Sequence, residues 1–358
     1  MARVGPAVRP EHVPVQAARF APRATRVRVR LLVLLVLLLV VFVLSFSLGR
    51  YPVAPGLLIQ LLAAKLLPVP KTWSATVETV VFQVRFPRII AAVVIGMALS
   101  ASGAGYQALF KNPLASPSLL GVSAGAGFGA ALGILLNLPW PVVQALAFGG
   151  GLLAVGLAWL IARLFGGGTT VVLVLGGLVV AALFGALISV LQYLANPVDT
   201  LPAITFWLMG GLGRVTNRDV LFTLAPMAVC FAVLYALRWQ INVLGIGRDE
   251  ATTLGVNTER VWLTVIVAAT LMTALTVSIG GIIGWVGLVI PHLARMLVGP
   301  NFPRLLPASV LMGGTYLLLV DDLCRSVGIR ELPLGVLTAL IGAPFFIALL
   351  ARTRGDWA

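Results

Sequence analysis

The sequence predicts an all-α protein that crosses a membrane about ten times, and three observations carry that expectation. First, 60% of the 358 residues are hydrophobic and only 10% are charged, with a mean hydropathy of +1.06. A water-soluble domain of this length has no means of burying that much apolar surface in one core. Second, the apolar residues fall into long runs of Leu, Val, Gly and Ala punctuated by Pro and Arg. Hydrocarbon offers no hydrogen-bond partners, so such runs are stable there as helices, whose backbone groups pair within the segment. Third, all eleven acidic residues fall in loops or near the ends of runs.

The expected spans are 31–49, 87–109, 119–137, 141–164, 171–194, 219–238, 259–281, 282–297, 305–324 and 333–351. Ahead of them, residues 1–30 carry seven arginines (Arg3, Arg9, Arg19, Arg23, Arg26, Arg28, Arg30) against one acid, Glu11, without apolar periodicity. That stretch reads as a disordered basic tail on a transmembrane unit of 31–358. The first span lacks a clear small-residue cleavage site and is expected to stay uncleaved. The second opens on Arg85-Phe-Pro-Arg88 and closes on Asn112-Pro113, a turn-forming pair. The third carries Gly121, Gly125, Gly129 and Gly133, one every four residues, a stripe that lets neighbouring backbones approach. Thr169 and Thr170 separate the fourth from the fifth, and the polar stretch 244–262 separates the sixth from the seventh. Pro291 interrupts the short eighth, Asp321 and Asp322 lie near the end of the ninth, and Arg352 and Arg354 follow the tenth.

Basic residues favour the cytoplasmic side, which places both termini there after ten crossings. Beyond the tail, however, Lys and Arg divide evenly between the two sides. The outer set is Arg50, Lys65, Lys71, Arg85, Arg88, Arg214, Arg218, Arg325 and Arg330. Either these snorkel as anchors at helix ends, or they form a docking surface for an acidic partner. The net charge of +14 then reflects topology and attraction to anionic lipid, and no segment resembles a nucleic-acid module. Cys230 and Cys324 fall on different spans and suggest neither a disulfide framework nor a metal pair.

Carrier proteins driven by ion gradients need carboxylates at membrane depth, and the sequence places none there. Nor does it contain G-x-x-x-x-G-K-[ST], since none of Lys65, Lys71 and Lys111 follows a glycine. A transport role would therefore draw its energy from another subunit. The stretch 244–262 is the candidate contact. There Gly247 and Gly255 bracket Arg248, Asp249, Glu250, Ala251, Thr252, Thr253 and Leu254, with acids early and a glycine to end the turn, which suggests a short interfacial helix. A solvated loop without a partner is the other reading.

Five stretches carry a resemblance: "RFPRIIAAVVIGMALSASGAGYQALFKNPLASPSLLGVSAGAG" (85–127), "FWLMGGLG" (206–213), "GRDEATTLGV" (247–256), "GWVGLVIPHLARMLVG" (284–299) and "ELPLGVLTALIGAPFFIALL" (331–350). In content and order the chain resembles the FecCD-type permeases, the membrane subunits of ATP-driven importers for iron–siderophore complexes, heme and vitamin B12. The resemblance implies a type II ABC importer permease fold in a bacterial inner membrane. It also implies a second copy of the chain forming a homodimeric pore, two ATPase subunits below it, and a periplasmic substrate-binding protein above. ATP and Mg would sit on the ATPase, leaving no cofactor in this chain.

Carried over residue by residue, the resemblance makes Arg85 and Arg88 docking arginines for the binding protein, joined by Arg325 or Arg330. It makes Asn112, Leu114, Thr169 and Thr170 a cytoplasmic gate, for which a plain turn at Asn112 is the alternative. It makes Arg248, Asp249, Glu250, Thr253, Leu254 and Gly255 the contact with the ATPase. Two further readings stand beside these. "GVSAG" (121–125) satisfies G-x-S-x-G and pairs on paper with His292 as an intramembrane serine hydrolase, although no acid is evident to orient the histidine. His292 also has no second ligand at useful spacing for a metal. The expected cargo is a ferric siderophore or heme, with cobalamin or an oxyanion such as molybdate as alternatives.

Overall fold

The computed structural model describes residues 24–353, apart from 50, 52, 65–69, 72, 167–169 and 328–330. All ten expected spans are helices: α1 Ala24–Ser45, α2 Phe86–Leu109, α3 Val122–Leu135, α4 Trp140–Gly166, α5 Thr170–Leu194, α6 Asn217–Ala236, α7 Thr258–Gly280, α8 Val286–Val298, α9 Phe302–Ser326 and α10 Leu334–Thr353. Among the described residues there is no strand. Among the described residues seven helices are long and apolar enough to cross a membrane, and α3, α8 and α10 are shorter apolar helices.

The differences from the sequence reading lie at the helix ends. The first helix begins at Ala24, so the last seven residues assigned to a disordered tail are helical, with Val27 buried and Arg30 donating to the Leu297 carbonyl. Residues 1–23 lie outside the described residues. The second span runs back through a π turn, Val80–Arg85, to Ala75, making one segment of 35 residues. The third starts late because a 3-10 turn, Pro117–Leu120, ends at Gly121 with φ +81°, a left-handed conformation that glycine adopts without a Cβ clash. The eighth begins only at Val286; Pro291 sits inside it. Short helices at Pro55–Ala63, Thr200–Leu208 and Arg238–Leu244 occupy stretches that the sequence reading left as connections.

Helix α2 is the spine. It packs on α9, α7, α8 and α6, while α3, α4 and α5 form a second group and α1 lies along α9. Glycine allows the close crossings. A Cβ at Gly96 would overlap the Gly313 carbonyl of α9, and one at Gly103 would overlap the Gly287 carbonyl of α8. The stripe on α3 works as expected: Gly125 meets Gly150, and Gly129 meets the Leu146 carbonyl of α4. Without a hydrophobic drive between helices in lipid, such backbone contact supplies much of the association. Replacing Gly103 with valine should therefore part α2 from α8 and cost on the order of 1–3 kcal/mol or more by overpacking. A wild-type yield of monodisperse protein and an unchanged unfolding midpoint in detergent would refute this crossing.

The two ends of α2 name the two ends of the bundle, the Arg88 end and the Asn112 end.

Candidate functional site

At the Arg88 end two guanidinium groups, those of Arg88 and Arg325, meet three carboxylates, and a third, that of Arg85, is spent on backbone carbonyls. Arg88 donates from Nε to both oxygens of Asp321, at 3.0 Å each, and from Nη2 to Oδ1 at 2.9 Å. Its Nη1 donates to Glu331 Oε2, also at 2.9 Å. Arg325 donates from Nε to Asp322 Oδ1 at 3.1 Å and from Nη2 to the Ser45 carbonyl at 2.6 Å. Its Nε also lies 3.7 Å from Asp321 Oδ2. The Ser45 hydroxyl donates to Asp322 Oδ2 at 2.6 Å, tying α1 into the cluster. Arg85 reaches past Gly49 to the Phe46 and Tyr51 carbonyls. Asp321 is fully buried, whereas the Glu331 side chain is 44% exposed.

This arrangement bears on the expected docking residues. Arg85, Arg88 and Arg325 do not hold free forks outward; they are 4%, 7% and 5% exposed and spent on their own chain. A guanidinium at the end of a membrane bundle needs counter-charge, and Asp321, Asp322 and Glu331 supply it. Arg330 lies outside the described residues. Exposed cations at this end include Arg214 and Arg218, which lie over the rings of Trp140 and Phe222 at 5.0 and 5.5 Å. The sequence reading had both in its outer set without giving them a role; Phe222, on the same helix as Arg218, was a local signal, whereas Trp140 is remote from Arg214 in the chain.

Beside the cluster is a cavity of ≈ 290 Å³, walled by Trp140, Phe206 and Trp207 with Arg88, Arg214 and Glu331. Three non-helical segments build its floor. Gly211 N donates to the Gly280 carbonyl at 2.8 Å, and Leu334 N and Gly335 N donate to the carbonyls of Gly210 and Met209 at 3.0 and 3.1 Å. Gly210 and Gly281 take φ of +73° and +68° to make these turns, and a Cβ at Gly335 would strike the Ile282 and Met209 carbonyls. Irregular backbone of this kind is stable within a membrane protein where it is buried or lines a cavity.

At the Asn112 end, residues 248–253 form the expected helix, with Asp249 and Glu250 in its first turn and Gly255 left-handed after it. Ala251 seats it in a core with Ile241, Leu244 and Val261. Arg248, Asp249, Glu250, Thr253, Leu254 and Gly255 are all exposed. Asn112 and Leu114 are exposed too, and Asn112 Oδ1 accepts from Leu114 N at 2.9 Å, an Asx turn. Thr170 is the first residue of α5, and Thr169 lies outside the described residues. No hydrogen bond among the described residues joins Thr170 to Asn112.

Two links that the sequence did not reveal run between the short helix and the Asn112 segment. Lys111 Nζ donates to the Ile246 carbonyl at 3.1 Å. Arg248 lies 5.9 Å over Trp262, whose ring is 6.4 Å from Phe110, itself stacked on Tyr106 at 5.4 Å. Ser123 lies inside a helix, not at a strand–helix elbow; its hydroxyl is 3.4 Å from that of Ser118, and among the described residues no hydrogen bond joins it to His292.

Comparison with known proteins gives the same picture along the chain. Residues 37–352 match the FecCD transport family. The molybdate import permease MolB of Haemophilus influenzae is 40% identical over 315 residues, covering 87% of this chain and 92% of that protein. The hemin transport permease HmuU of Yersinia pestis is 37% identical over 279 residues, 76% of this chain and 83% of that protein. A solved inward-facing ABC transporter described as of the metal-chelate type superposes with a TM-score of 0.79 at 38% identity, covering 91% of this chain and 99% of that one. These relatives are permease subunits, not enzymes, so the serine-hydrolase reading of Ser123 and His292 falls away. A helical bundle matched over nearly its whole length by permeases of this kind places the chain in the FecCD transport family, as an ABC importer permease.

Proposed function

We propose that two copies of the chain form the pore of an importer that takes an iron complex, a ferric siderophore or heme, from a periplasmic binding protein. The Arg88 end faces outward, the Asn112 end and both termini face the cytoplasm, and the membrane is a bacterial inner membrane. Two ATPase subunits dock on helix Arg248–Thr253 and carry the ATP and Mg. Asn112 and Leu114, with Thr169 and Thr170, close the passage at that side.

The observation that carries the cargo class is the cup at the Arg88 end, where three aromatic walls stand beside the exposed Arg214. Aromatic faces with a guanidinium at the rim suit a bulky anionic chelate. The binding protein's acidic groups meet Arg214 and Arg218 first, and reach Arg88 only by displacing Glu331. The 40% identity to a molybdate permease favours an oxyanion as the second reading; cobalamin is the third cargo to include.

Uptake into proteoliposomes holding the permease, its ATPase and its binding protein tests the reading. Ferric siderophore or heme should accumulate with ATP, while cobalamin and molybdate should not. Accumulation of molybdate or cobalamin instead would overturn the iron assignment, and no ATP-dependent uptake of any of the four would overturn the importer reading. With the charges reversed in Arg214→Glu/Arg218→Glu, uptake at limiting binding protein and low salt should fall about tenfold or more through slower encounter, with added salt narrowing the gap. Equal uptake by this variant would remove both residues from the docking face.

A further inference from the structure

A second cavity, of ≈ 240 Å³, lies at the Asn112 end among the end of α2, helix Arg238–Leu244 and the α8–α9 connection. Lys111, Arg295, Asn242 and Asn112 line it, and no carboxylate does. Arg295 is partly buried on α8, and it donates from Nη2 to the neutral Gln107 Oε1 at 2.9 Å. Gln107 is itself held, donating to the Leu288 carbonyl at 3.1 Å. Among the described residues Arg295 has no ion pair, in contrast to Arg88 and Arg325 at the other end. A guanidinium partly withdrawn from water at a helix bundle's end without counter-charge is costly, and a charge supplied from outside the chain would offset that cost.

The remaining groups fit an oxyanion. Lys111 stands at φ +48°, a left-handed position after the end of α2 where glycine would cost less, and spends one proton on the Ile246 carbonyl. Asn242 accepts from Phe302 N at 2.9 Å through Oδ1, which leaves its amide donors for the cavity. Phe302 opens α9, a helix of 25 residues whose N-terminus adds partial positive charge. The volume is several times the roughly 30 Å³ of one water in the liquid.

We propose that this cavity binds a phosphate-type oxyanion between Arg295 and Lys111, either the headgroup of a phospholipid in the adjoining leaflet or a free phosphate. Arginine pairs two oxygens through its fork while lysine adds a point charge, and basic pockets between membrane helices hold headgroups in this manner.

Native mass spectrometry of the delipidated full-length chain, titrated with phosphatidylglycerol, phosphatidylcholine or inorganic phosphate, tests the site. The tightest phosphatidylglycerol should bind about tenfold more weakly to Arg295→Gln/Lys111→Gln than to wild type, and Arg295→Lys should restore part of the loss. Lys111→Gln alone, on an exposed side chain, should weaken binding severalfold in a protein that folds as wild type. Phosphatidylglycerol binding that inorganic phosphate does not displace assigns the site to lipid; displacement, or binding of phosphate alone, assigns it to the free ion. Equal binding of both anions by wild type and the double variant, or no binding by wild type, overturns the proposal.

Discussion

Arg88→Leu should lower the stability of the isolated permease by on the order of 3–5 kcal/mol, the usual effect of leaving a buried charge without its partner. Asp321 loses the bonds from Arg88 Nε and Nη2 and keeps only Arg325 at 3.7 Å, while Glu331 is released toward solvent. The double variant Arg88→Leu/Asp321→Leu should recover much of the loss, because it removes both charges together. Arg88→Lys should fall between, since one ammonium lacks the fork that spans Asp321 and Glu331. The midpoint of unfolding in detergent reads the series. A single variant as stable as wild type, or a double variant no better than the single, would show that the pair does not hold α2 to α9.

Replacement of Thr253–Leu254–Gly255 by bulky charged residues should abolish ATP-coupled uptake, with the permease still folded and assembled. Leu254 and Thr253 are exposed, and Gly255 holds φ +79°, so the change strikes the presented face and its turn while Ala251 keeps the helix seated. Lys111 bonds the loop before this helix, and Arg248, Trp262 and Phe110 bridge from it toward Asn112. Cysteines at Asn112 in the two copies should crosslink in a nucleotide-dependent way in the parent and lose that dependence in the variant. Normal substrate-stimulated ATP hydrolysis in the variant would remove helix Arg248–Thr253 from the coupling role.

Much of this fold was legible in the sequence, because apolar run length alone decides where a helix crosses hydrocarbon. The ends were not, because backbone conformation sets them: the π turn before Phe86, the left-handed Gly121 and the irregular 281–285 leave no trace in hydropathy. Helix Arg248–Thr253 was visible because its glycines and first-turn acids are local signals. Thr200–Leu208 was not, being nine residues with a proline in its first turn. Burial of Arg85, Arg88 and Arg325 could not be read either. Arg88 and Asp321 are 233 positions apart, and nothing near either one announces the other.

That separation also fixes an order of events during synthesis. At roughly 5–20 residues per second, α2 leaves the ribosome on the order of ten to fifty seconds before Asp321 exists. For that interval Arg88 has no counter-charge from α9, and its guanidinium costs least in the water or among the lipid phosphates of the bilayer surface, whereas Phe46 and Tyr51, whose carbonyls Arg85 reaches, are already made. This end of the nascent α2 is therefore expected to stay at the interface until α9 arrives, with the pairing of Arg88 and Arg325 to Asp321, Asp322 and Glu331 as a late step of biogenesis.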